Sequence, residues 1–179
     1  MGMIRDLEPD YSGYLQGIFD SDSIFKCEMN VFIDAENGAT EEDAETCIAH
    51  YNDLKNRKDI LDAIEEGLTK YFLFMCDKLS MMEEEYGDDY PEVMADLDRV
   101  KEGYREGRSL TEFLSEPSLY AYKPRNGEIG YGIEGSSLWD PDYSCMIIIR
   151  NDTVLFVGVT GGLTPWEEED EYWCPWDEE

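Results

Sequence analysis

The chain has 179 residues, with 43 Asp or Glu against 14 Lys or Arg, for a formal net charge of −29. Binding phosphates or an anionic membrane surface needs clustered Lys and Arg, so this composition excludes direct nucleic-acid binding and membrane adhesion as expectations. The length and the 42% hydrophobic content fit one folded domain rather than a disordered chain.

The N-terminal stretch MGMIRDLEPDYSG has no apolar core of a signal peptide, and no apolar run reaches the ~20 residues that span a bilayer. Asp6 and Leu7 stand where a myristoylation signal wants Ser or Thr. Cys27, Cys47, Cys76, Cys145 and Cys174 are far apart and form no C-x-x-C pair, which suits free thiols in a reducing compartment. A cytoplasmic location is the expectation.

Ile24 to Asp34 alternates apolar and polar residues and reads as a strand, with Phe25, Cys27, Met29 and Val31 on one face. Thr40 reads as a helix N-cap, followed by Glu41, Glu42 and Asp43 in the first turn, where acids complement the helix dipole. The apolar face of that helix is Ala44, Cys47, Ile48, Tyr51 and Leu54. Asn56 reads as the cap of a second helix ending near Leu79, with Ile60, Leu61, Ile64, Leu68, Tyr71, Phe72, Met75 and Leu79 in its stripe. The short link between the two predicts an antiparallel helix hairpin.

Glu83 to Asp89 reads as an acidic loop, and Pro91 as the first position of a short helix carrying Val93, Met94, Leu97 and Val100. Arg99, Lys101, Arg105 and Arg108 form a basic cluster that complements the end of this helix. Beyond it, Ser118 to Lys123 and Ile129 to Ile133 flank a turn signal at Asn126-Gly127. Tyr143 to Arg150 and Thr153 to Val159 flank another at Asn151-Asp152. Met146 to Ile149 is apolar on both faces, the mark of a covered central strand. The fold expected from this order is α+β: a mostly antiparallel sheet packed on a long antiparallel helix pair, with residues 1–162 as one domain and 163–179 as a peripheral acidic aromatic tail.

Two stretches concentrate the charge. Glu83 to Asp98 and Leu163 to Glu179 each hold eight acidic residues and no Lys or Arg, and the second holds three of the four tryptophans. Crowded like charges repel one another and cost folding free energy, which a cationic partner would offset. The candidate partner-binding residues are therefore Glu83, Glu84, Glu85, Asp88 and Asp89 in the first stretch. In the second they are Trp166, Glu167, Glu168, Glu169, Asp170, Glu171, Tyr172, Trp173 and Trp176. Aromatic rings anchor interfaces and carboxylates steer basic partners toward them. The alternative for the rings is that they pack back on the sheet and close an open face.

Catalytic and metal signals are sparse. His50 is the single histidine, at the edge of a helical stripe, so no His-pair metal site exists and a Ser-His-acid triad would have to use it. Neither a P-loop nor G-x-S-x-G occurs. Asp34 to Glu45 approaches a calcium loop, but its glycine, Gly38, falls one position early and a strand precedes it. No catalytic residue, metal or cofactor is assigned.

The strand, helix pair and closing strand Thr153 to Val159 resemble small acidic bacterial domains of unknown function, some of which occur among immunity proteins of polymorphic and contact-dependent toxin systems. The likeness covers roughly residues 24–79 and 138–160, including Leu138-Trp139-Asp140-Pro141-Asp142. It implies a non-enzymatic inhibitor that binds and blocks a basic toxin, commonly a nuclease. Two other classes compete: a carboxylate-metal enzyme or small-ligand domain, and a structural oligomeric module.

Overall fold

The computed structural model describes residues 2–177. Seven strands form one sheet whose spatial order follows the chain: β1 (Arg5–Pro9), β2 (Leu15–Asp20), β3 (Glu28–Ile33), β4 (Leu114–Ala121), β5 (Gly130–Ser137), β6 (Ser144–Arg150) and β7 (Thr153–Val159). Neighbours are antiparallel except β3 and β4, which run parallel from Asn30↔Ser118 to Ile33↔Ala121. A parallel pair needs a long crossover. Here the crossover holds every α-helix of the described residues: α1 (Glu41–Asp53), α2 (Lys58–Leu79), α3 (Glu83–Tyr86) and α4 (Tyr90–Arg105).

The expected sheet on a long antiparallel helix pair is not what forms. A 3-10 turn at Leu54–Asn56 separates α1 from α2, and the two helices spend their stripes on the sheet rather than on each other. α1 lies against β3 and β4, burying Ala44, Cys47, Ile48 and Tyr51, whereas α2 lies against β7 at the far edge. Gly67 allows that approach, since a Cβ there would stand 2.6 Å from Val157 Cβ. Two stripes at helical spacing look the same whether they face a helix or a sheet, which is why periodicity alone could not distinguish these packings. α4 packs beside α2 with Tyr104 against Phe72 at 5.4 Å between ring centroids. The Glu83–Asp89 stretch is also not a plain loop, because it forms α3 and a following 3-10 turn.

Local chemistry accounts for the element ends. Thr40 Oγ1 accepts from Asp43 N at 3.2 Å and Asp43 Oδ2 accepts from Thr40 N at 2.8 Å, a reciprocal cap for α1. Asn126 and Gly127 both adopt positive φ, 54° and 77°, as a tight hairpin turn requires. Asn151, at φ 48°, joins the two hairpins: its N donates to Ile129 O and its Oδ1 accepts from Ile129 N, each at 3.0 Å.

The main core lies between sheet and helices. Met29, Val31, Ile33, Leu119, Ala121, Ile133, Ile147 and Ile149 come from the strands, and Ile64, Leu68, Phe72 and Leu97 from the helices. Each large aliphatic or aromatic side chain fully buried here contributes about 1.5–3 kcal/mol. Trp139, after β5, is fully buried with its ring edge-on to Tyr71 and Phe72. The opposite, outer face of the sheet carries Met146, Ile148 and Phe156 over β6 and β7, and Phe32 stacked on Tyr120 at 4.9 Å over β3 and β4.

Candidate functional site

The tail lies on the outer face of the sheet. Three glycines make the seat. A Cβ on Gly130 would fall 2.5 Å from Pro165 Cβ, one on Gly132 would fall 2.9 Å from Met146 Sδ, and one on Gly158 would fall 3.0 Å from Cys174 Sγ. Cys174 joins Met146, Ile148 and Phe156 in a second apolar cluster, with Leu163, Tyr172 and Trp176 packed against it. Burial, followed by the charge of Asp177, pushes its thiol up to about 12.

Polar contacts lock the same segment. Tyr172 Oη donates to Thr164 O at 2.7 Å and accepts from Glu167 N at 3.1 Å. Glu167 Oε1 accepts from Thr164 Oγ1 at 2.7 Å. Trp176 stacks on Tyr71 of α2 at 4.7 Å, and Arg125 lies over the Trp166 ring at 5.6 Å. Trp166, Glu167, Tyr172 and Trp176 are therefore occupied within the molecule. Glu168, Glu169, Asp170 and Glu171 are exposed, and Trp173 is 54% exposed between half-buried Tyr172 and buried Cys174. Among the described residues no Lys or Arg pairs with any of these four acids. Glu178 and Glu179, which complete the acidic stretch in the sequence, lie outside the described residues, as does Met1.

The first acidic stretch is elsewhere. Glu83, Glu84, Glu85, Asp88 and Asp89 are all exposed. Tyr86, among them, donates its hydroxyl to Asp142 Oδ2 at 2.6 Å. Two residues away, buried Asp140 accepts from the Tyr71 hydroxyl and from the backbone N–H groups of Asp142 and Tyr143. Burial and the Asp140 carboxylate both raise the Tyr71 phenol far above its ordinary value. This stretch thus sits by the entry to β6, while Glu169 and Tyr172 sit beside Arg150, Thr153 and Leu155 at the other end of the β6–β7 hairpin. The structure does not merge the two acidic stretches into one patch.

The remaining residues singled out in the sequence have structural work. His50 Nδ1 is 2.8 Å from Tyr131 Oη, and His50 Nε2 is 3.2 Å from Asp152 Oδ1. Arg57 also donates to Asp152 Oδ1, at 2.8 Å, so this half-buried histidine ties α1 to the β6–β7 turn. Asp34 accepts from the Asn37 side-chain amide with both oxygens, and Asp43 serves the α1 cap, so the calcium-like segment uses its acids locally. Arg99 pairs with Asp96, and Arg108 pairs with Glu112 and lies over Phe113. Among the described residues no three His, Cys, Asp or Glu side chains are placed to hold a metal ion, and no helix is long and apolar enough to cross a membrane. The hub at Asn151-Asp152 went unread as a site of tertiary contacts, because its partners Ile129, His50 and Arg57 are remote in sequence.

A seven-stranded mixed sheet, covered by helices on one face and by a terminal segment on part of the other, defines the class of domain. The chain belongs to the DUF6985 family, a domain of unknown function whose family model matches residues 3–164. Neither a curated protein nor a solved structure matches it.

Proposed function

We propose that this protein is a non-enzymatic binding domain for a cationic macromolecule, and most concretely an inhibitor that occludes the phosphate-binding groove of a basic toxin or nuclease. The observation that carries the reading is the tail. Trp173 is 54% exposed and stands next to Glu168–Glu171, while Tyr172, Cys174 and Trp176 fasten the segment on either side. An exposed aromatic on a fastened segment, close in the chain to exposed acids that pair with no Lys or Arg among the described residues, is pre-organised, so docking would cost little conformational entropy. In this mechanism the carboxylates raise the association rate and the tryptophan slows dissociation.

The test is inhibition kinetics with a panel of basic nuclease domains. Charge reversal of Glu168, Glu169 and Asp170 to Lys is expected to lower the association rate by about tenfold at low salt, with a smaller effect at high salt. Trp173→Ala is expected to raise the dissociation rate. Inhibition that is unchanged by charge reversal, or a panel in which no nuclease is inhibited, overturns the reading.

A further inference from the structure

Residues 163–177 bond mostly among themselves. Glu171, Tyr172 and Asp177 donate their backbone N–H groups to Glu168 O, Glu169 O and Cys174 O. Trp166 N donates to Thr164 Oγ1 and Cys174 N to Asp177 Oδ2. Toward the rest of the protein the described residues show two hydrogen bonds. Arg150 Nη1 reaches Pro165 O at a long 3.4 Å, and the Cys174 thiol, a weak donor, lies 3.6 Å from Val157 O. Among the described residues no ion pair joins the segment to the sheet or the helices.

Two aromatic anchors of the same make hold the segment down. Thr164-Pro165-Trp166 rests at Gly130 and Cys174-Pro175-Trp176 at Gly158. A Cβ on Gly130 would lie 3.0 Å from Trp166 Cζ2, and one on Gly158 would lie 3.2 Å from Trp176 Cζ2. Glu167 to Glu171, five acids in a row, run between the anchors. The segment hangs from Gly161 and Gly162, both exposed. Gly162 has φ 78°, and a Cβ there would meet nothing within 4 Å, so the chain can turn freely at this point. A segment held by side-chain packing, with few cross-bonds and an open hinge, separates at lower cost than the core beneath it. Docking also brings its acids onto a body that is itself strongly acidic, a repulsion that salt or a cation relieves.

We propose that residues 163–177 are a hinged strap that undocks from the sheet as one unit, and that the charge on Glu167–Glu171 sets how often it does so. Docked, the resting form, the strap covers Met146, Ile148 and Phe156. Undocked, it bares that face and frees the Cys174 thiol. A cation that neutralises the acids favours the docked form, where their repulsion is greatest. The inference goes beyond the partner reading. Its test uses the protein alone, so either can fail without the other.

The experiment labels the full chain with iodoacetamide and reads each cysteine by mass spectrometry. Exposed Cys27 reports the reactivity of the reagent, and Cys47 and Cys145, buried in the main core, report global opening. Cys174 is expected to react at least tenfold faster than Cys47 and Cys145. Its rate relative to Cys27 should fall by about two- to threefold between about 20 mM and about 500 mM salt. Trp166→Ala removes the anchor at Gly130, yet should speed Cys174, at Gly158, by about tenfold relative to Cys145. Glu169→Gln combined with Asp170→Asn should slow Cys174 at low salt and flatten its salt dependence. Equal rates at Cys174 and Cys145 overturn the strap. An unchanged Cys174 rate in Trp166→Ala overturns its opening as one unit, and an unchanged salt dependence in the neutralised variant overturns its control by charge.

Discussion

Over β5–β7 the outer face of the sheet presents glycine at 130, 132 and 158 and lies beneath the tail. Over β2–β4 it presents Phe32 and Tyr120, with Tyr14 edge-on to both at 6.5 and 6.0 Å, and these rings are half-exposed. In the first region glycines leave room for another segment to pack over Met146, Ile148 and Phe156. In the second the sheet carries its own bulk and remains open. The difference shows how one sheet can bury both faces at one end with a short terminal segment, and it places the exposed carboxylates of that segment at the rim.

The comparison is broken most sharply by equal truncations in the two regions. Ile148→Ala, beneath the tail at 1% exposure, is expected to lower stability by about 2–5 kcal/mol. Urea unfolding checks it, and a loss no greater than that of Phe32→Ala would refute the division. Gly130→Val puts side-chain atoms where Pro165 and Trp166 lie. The expected outcome is a loss of about 1–3 kcal/mol, with a new protease-sensitive site after Gly162 and far-UV dichroism retained. Phe32→Ala removes a half-exposed stacked ring, for an expected loss of about 1–2 kcal/mol and no change in tail protection.

The smallest effect sits at the turn that fastens the β6–β7 hairpin to α1. Hydrogen bonds from His50 and then Arg57 hold the exposed Asp152 carboxyl below its ordinary value of 3.8. A lowered folded-state pKa adds stability above the unfolded value and loses it as pH falls through the folded one. Asp152→Asn is therefore expected to lower the urea midpoint slightly at neutral pH, with the gap from the parent closing below pH 3.8. A gap that persists unchanged in strong acid would separate the effect from this carboxylate.

Much of the local structure was legible because it rests on short-range chemistry. The Thr40 cap, the α1 and α2 stripes, the strand around Met29–Val31 and the Asn126-Gly127 turn all follow from spacing and turn preference. β1 and β2 went unread, since Arg5–Pro9 is an edge strand with mostly exposed residues and a register shift between Arg5 and Glu8. The parallel β3–β4 joint and the placement of α2 on β7 depend on partners distant in the chain. At the candidate site the acidic runs were visible, but which acids remain free was not. Glu167 is consumed by Thr164, and Glu168 and Glu171 cap one another's backbone N–H groups, whereas Glu169 and Asp170 stay exposed, a distinction that only three-dimensional neighbours make.

Because the sheet follows chain order, each antiparallel ladder joins strands that are close in sequence, and only β3 and β4 are separated by the whole helical excursion. Closing a long excursion carries an entropic penalty that hairpins avoid. The β4–β7 meander is thus expected to acquire amide protection before the β3–β4 ladder during refolding. That single seam would then set the rate at which the two halves of the molecule become one.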